Sequence, residues 1–389
     1  MKYTRRSFVR SPLLTVPPLF CCAALNAASD KSRCFVYVGA YTRQSSKGIY
    51  VYRFYVGTGK LDPLGLAAEA VNPGVLAVHP TQRFVYCVDE GNSFEGKKTG
   101  SISAFAIDGG TGRLTLLNRV ASGGSGPAHL IVDKTGKHVL VANYGAGSAA
   151  VLPLDRAGRL REVSSVVQHH GSSVDKKRQE APHPHGIFLS PDNRFALVAD
   201  LGLDEVLVYR FEAANGSLHP VDPPYAKVKP GAGPRHFTFH PKGGFGYVIN
   251  ELQSTVTVFA WDGNRGVLNE LQTISTLPKG FVGANTTAEI EIHRSGKFLY
   301  GSNRGHNSIA LFAIDSATGG LTPVQHVSTQ GQAPRSFKID LTGSYLLAAN
   351  EQSDNLVVFR IDTTTGRLSP TGQVLEVGTP ACVQFAAAD

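Results

Sequence analysis

The sequence has few of the residues that would indicate a disulfide-linked or zinc-binding protein. Five of its 389 residues are cysteines, and beyond residue 30 only Cys34, Cys87 and Cys382 remain, with no CxxC pair among them. A disulfide framework and a structural zinc site are therefore not expected. Methionine and tryptophan occur once each, the latter at Trp261.

The net charge of the chain is also small. The formal charge of +8 at pH 7 includes Lys2, Arg5, Arg6 and Arg10, so +4 remains once this N-terminal segment is set aside. The other basic residues are scattered and do not cluster with aromatic ones, which gives no support for nucleic-acid binding. Beyond residue 30 no apolar stretch is long enough to cross a bilayer. We expect neither nucleic acid nor membrane as a partner of that part of the chain.

Residues 1–30 have the three parts of an export leader. The segment Thr4–Arg10 contains paired arginines, a mostly apolar stretch runs from Leu13 to Leu25, and small residues follow at Ala27–Ser29. The arginine pair, with Phe8 two places on, resembles a twin-arginine signal, which directs the export of folded proteins. We expect a periplasmic or otherwise exported protein with one domain over residues 31–389. A disordered basic N-terminus and a lipid anchor at Cys21 or Cys22 are the alternatives.

A unit of roughly fifty residues recurs seven times in the rest of the chain. In one clear copy, Gly233–Phe239 is followed by Phe245–Glu251 and then by Ser254–Phe259. Each run is rich in Val, Ile, Phe and Tyr and is bounded by Gly, Asn, Asp or Pro, which is typical of antiparallel strands. The copies open near Pro73, Pro127, Pro184, Pro234, Thr287 and Pro334, with a seventh opening at Thr379.

Four-stranded units at this spacing predict an all-β, seven-bladed β-propeller. The seventh opening stands alone at the C-terminus, and the rest of its unit begins at Phe35. We therefore expect the C-terminal strand to pair with the N-terminal blade, which closes the ring and leaves no open edge. The single Trp261 excludes a WD-type repeat, because no Trp-Asp pattern recurs.

Antiparallel pairing brings the start of each first strand beside the end of each second strand, so these positions gather on one rim of the ring. Many of them are ionisable. Strand starts contribute His129, His183, His185, Arg235, His236, Glu289 and Arg335. Strand ends contribute Asp89, Glu90, Asn143, Tyr144, Asp200, Asn250, Glu251, Asn303, Arg304, Asn350 and Glu351. We expect Asp89, Glu90, Asn303 and Asn350 to shape the mouth, and Arg335 and Glu351 to bridge blades.

On the opposite rim, His79, His240 and His293 recur at one register before a turn. A residue found in nearly every copy is explained by turn chemistry, so these histidines are expected to be structural.

A long polar insert, Gly171–Pro182, precedes His183-Pro184-His185. Each histidine alone could be a general base, a substrate hydrogen-bond partner or part of a packed turn. No HxxxH spacing supports a metal site, although a divalent cation at the mouth stays open.

The chain resembles the seven-bladed lactonases related to bacterial 6-phosphogluconolactonase and to fungal carboxymuconate cyclase. The resemblance runs from about Phe35 to Phe385. It is carried by these segments in order: Arg178-Gln179 with His183–Gly186, Ala199–Asp204, Gly233–His236, Asn250–Leu252, Ser302–Ile309 and Ala349–Asn355.

The resemblance implies an active site at the central mouth that uses a His, an Arg, a Glu and a second Arg from successive blades. Carried over by motif, these are His185, Arg235, Glu251 and Arg304. We expect Arg178, His183, His236, Asn250 and Asn303 to contribute to substrate binding, and no cofactor. The export leader departs from a cytoplasmic sugar-phosphate lactonase and puts the natural substrate in question.

The residue types suit hydrolysis of a lactone by water. Glu251 or His185 could activate the water, and Arg235 or Arg304 could hold the oxyanion or a substrate carboxylate or phosphate. No G-x-S-x-G segment supports a covalent nucleophile. Two alternatives stay open, namely cyclisation of a muconate-type diacid and a non-enzymatic propeller that binds a ligand or a protein.

Overall fold

The computed structural model describes residues 1–2, 33–42 and 46–388. In these residues, 28 strands form seven four-stranded antiparallel sheets. A short 3-10 turn, Glu351–Ser353, is the helical element among them. The leader prediction lies almost wholly on residues 3–32, outside the described part of the chain.

The strands take four radial positions in the ring. The innermost strands are β28 (Pro380–Ala387), β4 (Leu76–Val78), β8 (Pro127–Val132), β12 (Pro184–Leu189), β16 (Pro234–Phe239), β20 (Thr286–Ile292) and β24 (Pro334–Ile339). The second strands are β1 (Arg33–Ala40), β5 (Phe84–Asp89), β9 (His138–Asn143), β13 (Phe195–Asp200), β17 (Phe245–Asn250), β21 (Phe298–Arg304) and β25 (Tyr345–Asn350).

The outer half of each blade follows the same order. The third strands are β2 (Gly48–Tyr55), β6 (Ser101–Ile107), β10 (Ser148–Pro153), β14 (Glu205–Glu212), β18 (Thr255–Asp262), β22 (Ser308–Ile314) and β26 (Asn355–Ile361). The outermost are β3 (Lys60–Glu69), β7 (Leu114–Ala121), β11 (Ser165–Gln168), β15 (Ser217–Lys227), β19 (Val267–Ser275), β23 (Leu321–Ser328) and β27 (Leu368–Glu376).

The prediction of a seven-bladed propeller is confirmed, and so is its closure. Strand β28 pairs antiparallel with β1, with Val383 opposite Val38. Blade 1 is therefore built from both ends of the chain, and blades 2 to 7 follow in chain order. Val38 and Val383 are buried in an apolar cluster with Leu347 and Leu356 of blade 7, so the closing strand also seals the junction between the first and last blades.

Neighbouring blades are joined by one repeated tyrosine. Tyr37, Tyr86, Tyr247 and Tyr300 are fully buried on the second strands. Each hydroxyl donates a hydrogen bond of 2.7–3.0 Å to a glycine carbonyl of the next blade. Because a buried hydroxyl without a partner is costly, this contact fixes the spacing between blades.

The histidines of the opposite rim are structural, as predicted. The Nε2 atoms of His79, His240 and His293 lie 2.9, 3.0 and 2.9 Å from the carbonyls of Gly136, Gly296 and Gly343 in the next blade.

Candidate active site

A β-bulge at the start of four innermost strands aims one side chain of each toward the central mouth. In each case the pairing register skips the residue that follows a proline. A bulge re-aims a side chain in this way because the extra residue is left out of the ladder. The skipped residues are Ala128, His185, Arg235 and Arg335, and all four line one cavity.

A second series of side chains comes from the ends of the second strands. Glu90, Tyr144 and Glu251 each follow the last residue of such a strand, and Arg304 is the last residue of β21. These four line the same cavity. Much of the mouth is thus built from two fixed register positions, one at the start of the innermost strands and one at the end of the second strands.

The cavity has a volume of about 450 Å³, within the range of small-molecule sites. Its described lining includes four guanidinium groups, those of Arg178, Arg235, Arg304 and Arg335, against the carboxylates of Glu90 and Glu251. The surplus of positive charge favours a ligand that is anionic or that develops negative charge as it reacts.

Glu251 is the centre of the most densely bonded cluster at the mouth. Its Oε1 atom lies 2.9 Å from Arg178 Nη2, and its Oε2 atom lies 3.0 Å from both Arg235 Nη1 and Arg304 Nη2. Burial alone would raise the pKa of Glu251, but the three arginines outweigh burial and lower it to about 2. Glu251 is therefore a fixed negative charge that holds three guanidinium groups side by side.

His185 is buried against the same cluster. Its Nε2 atom is in hydrogen-bond contact with Arg235 Nη1 and lies 3.9 Å from Glu251 Oε2. Burial, and then the positive charge of Arg235, lower the pKa of His185 well below its usual value of 6.5. His185 is consequently a neutral imidazole at neutral pH.

Arg178 reaches the cavity from the insert that precedes β12. Two hydrogen bonds pin this insert: Ser173 Oγ donates to Asp204 Oδ2 at 2.6 Å in a partly buried contact, and Gln179 Nε2 donates to Leu201 O at 2.9 Å in a buried one. The Arg178 side chain is 41% exposed, which makes it the most solvent-accessible of the three partners of Glu251.

His183 lies behind the cavity wall. Its ring stacks on Tyr144 at a centroid distance of 4.4 Å, and its Nδ1 atom lies 3.1 Å from the Tyr144 carbonyl oxygen. Tyr144 itself lines the cavity. In this arrangement His183 supports the wall.

His236 faces the central channel below the mouth. Its Nδ1 atom lies 3.0 Å from Glu289 Oε1, and its ring packs near those of His129 and Phe188. All four residues line the channel, a second cavity of about 450 Å³. On strand β16, His236 is therefore the residue next to Arg235, and it is Arg235 whose side chain lines the mouth.

Asn250 and Asn303 are completely buried inside their blades. Asn250 Nδ2 donates to Thr255 Oγ1 and Thr257 Oγ1, both at 3.0 Å, and Asn303 Nδ2 donates to Thr276 O at 2.9 Å. Neither amide lines the mouth cavity as the described residues define it. The structure does not bring these two residues together with the charged cluster, because the residue that follows each of them occupies the rim.

The opposite wall carries a looser charged group. Tyr41 Oη donates to both carboxylate oxygens of Glu90, at 2.9 and 3.0 Å. Arg335 Nη2 lies 4.0 Å from Glu90 Oε1, and Arg335 Nη1 lies 3.8 Å from Glu351 Oε2. The sequence placed Glu90, Arg335 and Glu351 on the rim, but Tyr41 was not among the expected residues, and the chemical difference of this group from the Glu251 cluster became visible only in the structure.

Within the described residues, no three His, Cys, Asp or Glu side chains are arranged to hold a metal ion. Cys34, Cys87 and Cys382 are buried free thiols.

Comparison with known proteins decides the family. Residues 35–385 match the family described as "Lactonase, 7-bladed beta-propeller". The chain belongs to this lactonase family. The expectation of an enzyme that acts as a lactonase is confirmed by this match and by the relatives of the chain.

Two relatives of this lactonase are named 6-phosphogluconolactonase. The protein of Bacillus subtilis is 35% identical over 304 residues, which cover 78% of this chain and 84% of the relative. That of Formosa agariphila is 35% identical over 314 residues, which cover 78% and 86%.

A solved structure, the periplasmic gluconolactonase of Pseudomonas aeruginosa, is 37% identical. It has a TM-score of 0.86 and covers 92% of this lactonase and 100% of the other chain. No helix in the described part of the lactonase is long and apolar enough to cross a membrane.

Proposed function

We propose that the lactonase hydrolyses the lactone of a sugar acid, of the gluconolactone class, at its central mouth. The observation that carries this proposal is Glu251 held by Arg178, Arg235 and Arg304 on the wall of a cavity of about 450 Å³. Lactone opening places negative charge on the carbonyl oxygen in the transition state, and a fixed group of guanidinium donors matches that charge.

The arginines would supply the oxyanion contacts. A guanidinium carries five N–H donors. Arg235 uses Nε for the Ala288 carbonyl and Nη1 for Glu251 and His185, and Arg304 uses Nη2 for the Thr287 carbonyl and Glu251. Donors therefore remain on both groups for a substrate oxygen. Glu251 would position these donors, because its carboxylate is bound by all three arginines.

Glu251 and His185 are poor candidates for taking a proton from water in this arrangement. Both carboxylate oxygens of Glu251 accept from guanidinium groups, and a pKa of about 2 makes that carboxylate a weak base. The His185 imidazole is engaged by Arg235. We assign His185 to orienting Arg235 and to contacting a substrate hydroxyl.

Four guanidinium groups would also accept an anionic substituent, so a phosphorylated lactone remains a natural substrate to test. The relatives named 6-phosphogluconolactonase support the phosphorylated form, and the periplasmic gluconolactonase supports the unmodified one. Export of this chain, which its leader-like N-terminus favours, would point to the unmodified lactone.

The test is a comparison of three substrates with purified protein. Gluconolactone, 6-phosphogluconolactone and a carboxymuconate are offered in turn, and acid release or consumption is followed against the spontaneous rate. We expect accelerated acid release with one or both sugar lactones. Turnover of the carboxymuconate alone would instead favour the cyclase reaction, and no turnover of any of the three would favour a binding protein.

A further inference from the structure

The hydrolysis proposed above needs a group that removes a proton from the attacking water, and the Glu251 cluster does not supply one. A general base must reach the substrate pocket, and it needs a lone pair that is not already engaged by cations. Among the described residues that line the mouth, Glu90 is the one carboxylate besides Glu251.

Glu90 and Glu251 differ in their partners. Glu251 accepts from three guanidinium groups at 2.9–3.0 Å. Glu90 accepts from the Tyr41 hydroxyl, whereas the nearest cation, Arg335, is 4.0 Å away. One neutral hydroxyl, shared between the two carboxylate oxygens, leaves lone pairs on both oxygens of Glu90. Its side chain is 22% exposed, and Glu90 lines the cavity.

We propose that Glu90 is the general base of the lactonase, a further catalytic residue on the wall opposite Glu251. This inference rests on the proposed function. The Glu90 carboxylate takes a proton from water while the water oxygen bonds to the lactone carbonyl carbon, and the carbonyl oxygen becomes an oxyanion held by Arg235 and Arg304. When the ring C–O bond breaks, the protonated Glu90 returns the proton to the departing ring oxygen. The products are a hydroxy acid and the original carboxylate.

The charges around Glu90 support this role. Burial raises its pKa above the usual value of 4.5, and Glu351 acts in the same direction, while Arg335, the Tyr41 hydroxyl and Arg235 partly offset the shift. A carboxylate with a raised pKa is a stronger base than one held at low pKa.

The direct test is Glu90→Gln, with Glu351→Gln as a matched control. Both carboxylates lie near Arg335, at 4.0 and 3.8 Å, so each change removes one charge beside the same arginine. Of these two carboxylates, Glu90 is part of the mouth lining that the described residues form, and Glu351 is not. We expect Glu90→Gln to lower kcat by about 10²-fold or more with a smaller change in KM, and Glu351→Gln to stay within a few-fold of wild type.

A second variant distinguishes between two roles of Glu90, that of a general base and that of a purely structural carboxylate. Tyr41→Phe removes the hydroxyl that stabilises the ionised form of Glu90 and so should raise its pKa further. Because the ionised form is active, activity is lost as pH falls through this pKa. The acid limb of the kcat profile should therefore move to higher pH in Tyr41→Phe, and it should be absent from the residual activity of Glu90→Gln.

The outcomes are distinct. If Glu90→Gln and Glu351→Gln have equal kcat values, or if Tyr41→Phe leaves the acid limb in place, Glu90 is not the base. If the wild-type protein itself does not accelerate hydrolysis of either sugar lactone, the proposed function fails instead. Circular dichroism and thermal unfolding of each variant show that the fold is retained.

Discussion

Arg235 Nη1 donates a hydrogen bond of 3.0 Å to Glu251 Oε2, and both residues belong to blade 5. Arg235 occupies the bulge of an innermost strand, and Glu251 follows the adjacent second strand. The central ion pair of the mouth is thus fixed by the hydrogen-bond ladder of a single sheet. Arg178 and Arg304 join it from the insert before blade 4 and from blade 6.

Arg235→Lys should be almost as inactive as Arg235→Ala. Arg235 spans the Ala288 carbonyl with Nε and Glu251 with Nη1, and a lysine ammonium cannot make both contacts with the same geometry. We expect a loss in kcat/KM of about 10²-fold or more for either change. Steady-state kinetics with gluconolactone checks this, and a lysine variant within a few-fold of wild type would mean that charge alone is required.

Glu251→Gln should weaken both activity and the dependence of stability on pH. The pKa of Glu251 is lowered in the folded protein, from 4.5 to about 2. The stability that this shift supplies is present above about pH 4.5 and is lost as pH falls toward about 2. Urea unfolding between pH 2 and 6 should therefore show a shallower acid loss in Glu251→Gln than in wild type, and parallel curves would contradict the assignment. Glu270→Gln, at an exposed position of outer strand β19, is the control.

Tyr247→Phe should lower stability and leave catalysis intact. Its hydroxyl donates to the Gly319 carbonyl of blade 6 at 3.0 Å in a fully buried position. Removing the donor should cost about 1–3 kcal/mol. Tyr225→Phe, on the exposed outer face, should cost little by comparison. Urea unfolding measures the first effect, and an unchanged kcat separates blade packing from chemistry.

Val383→Asp tests ring closure. Val383 is 1% exposed and lies opposite Val38 in the closing pair of strands. An unpaired carboxylate there should cost several kcal/mol and prevent folding. Val374→Asp makes the same change on outer strand β27, where Val374 is 50% exposed, and should be tolerated. Equal solubility and unfolding midpoints for the two variants would show that β28 is dispensable.

The repeat and its phase were sufficient to predict the blades, because each turn and apolar run is local in sequence. The lone opening at Thr379 likewise predicted the pairing of β28 with β1. The two register positions that line the mouth were harder to predict from the sequence. His236 was expected to bind substrate, but the bulge at Arg235 moves the pairing by one residue, so side-chain alternation alone does not indicate which neighbour faces the cavity.

The separate environments of Glu90 and Glu251 were also hidden in the sequence. Both are glutamates that follow a second strand, and only the three-dimensional arrangement shows three arginines at one and a tyrosine at the other. Contacts between blades join residues far apart in the chain, such as Tyr41 and Glu90 or Arg178 and Glu251, and no local pattern reports them.

The central claim is that the arginine cluster at the mouth opens a sugar lactone. The most direct measurement is acid release from gluconolactone by the purified protein and by Arg235→Ala, each corrected for spontaneous hydrolysis, with Tyr247→Phe as a folded reference. We predict a clear acceleration by wild type and Tyr247→Phe that is almost abolished in Arg235→Ala. Equal rates for wild type and Arg235→Ala would contradict the claim.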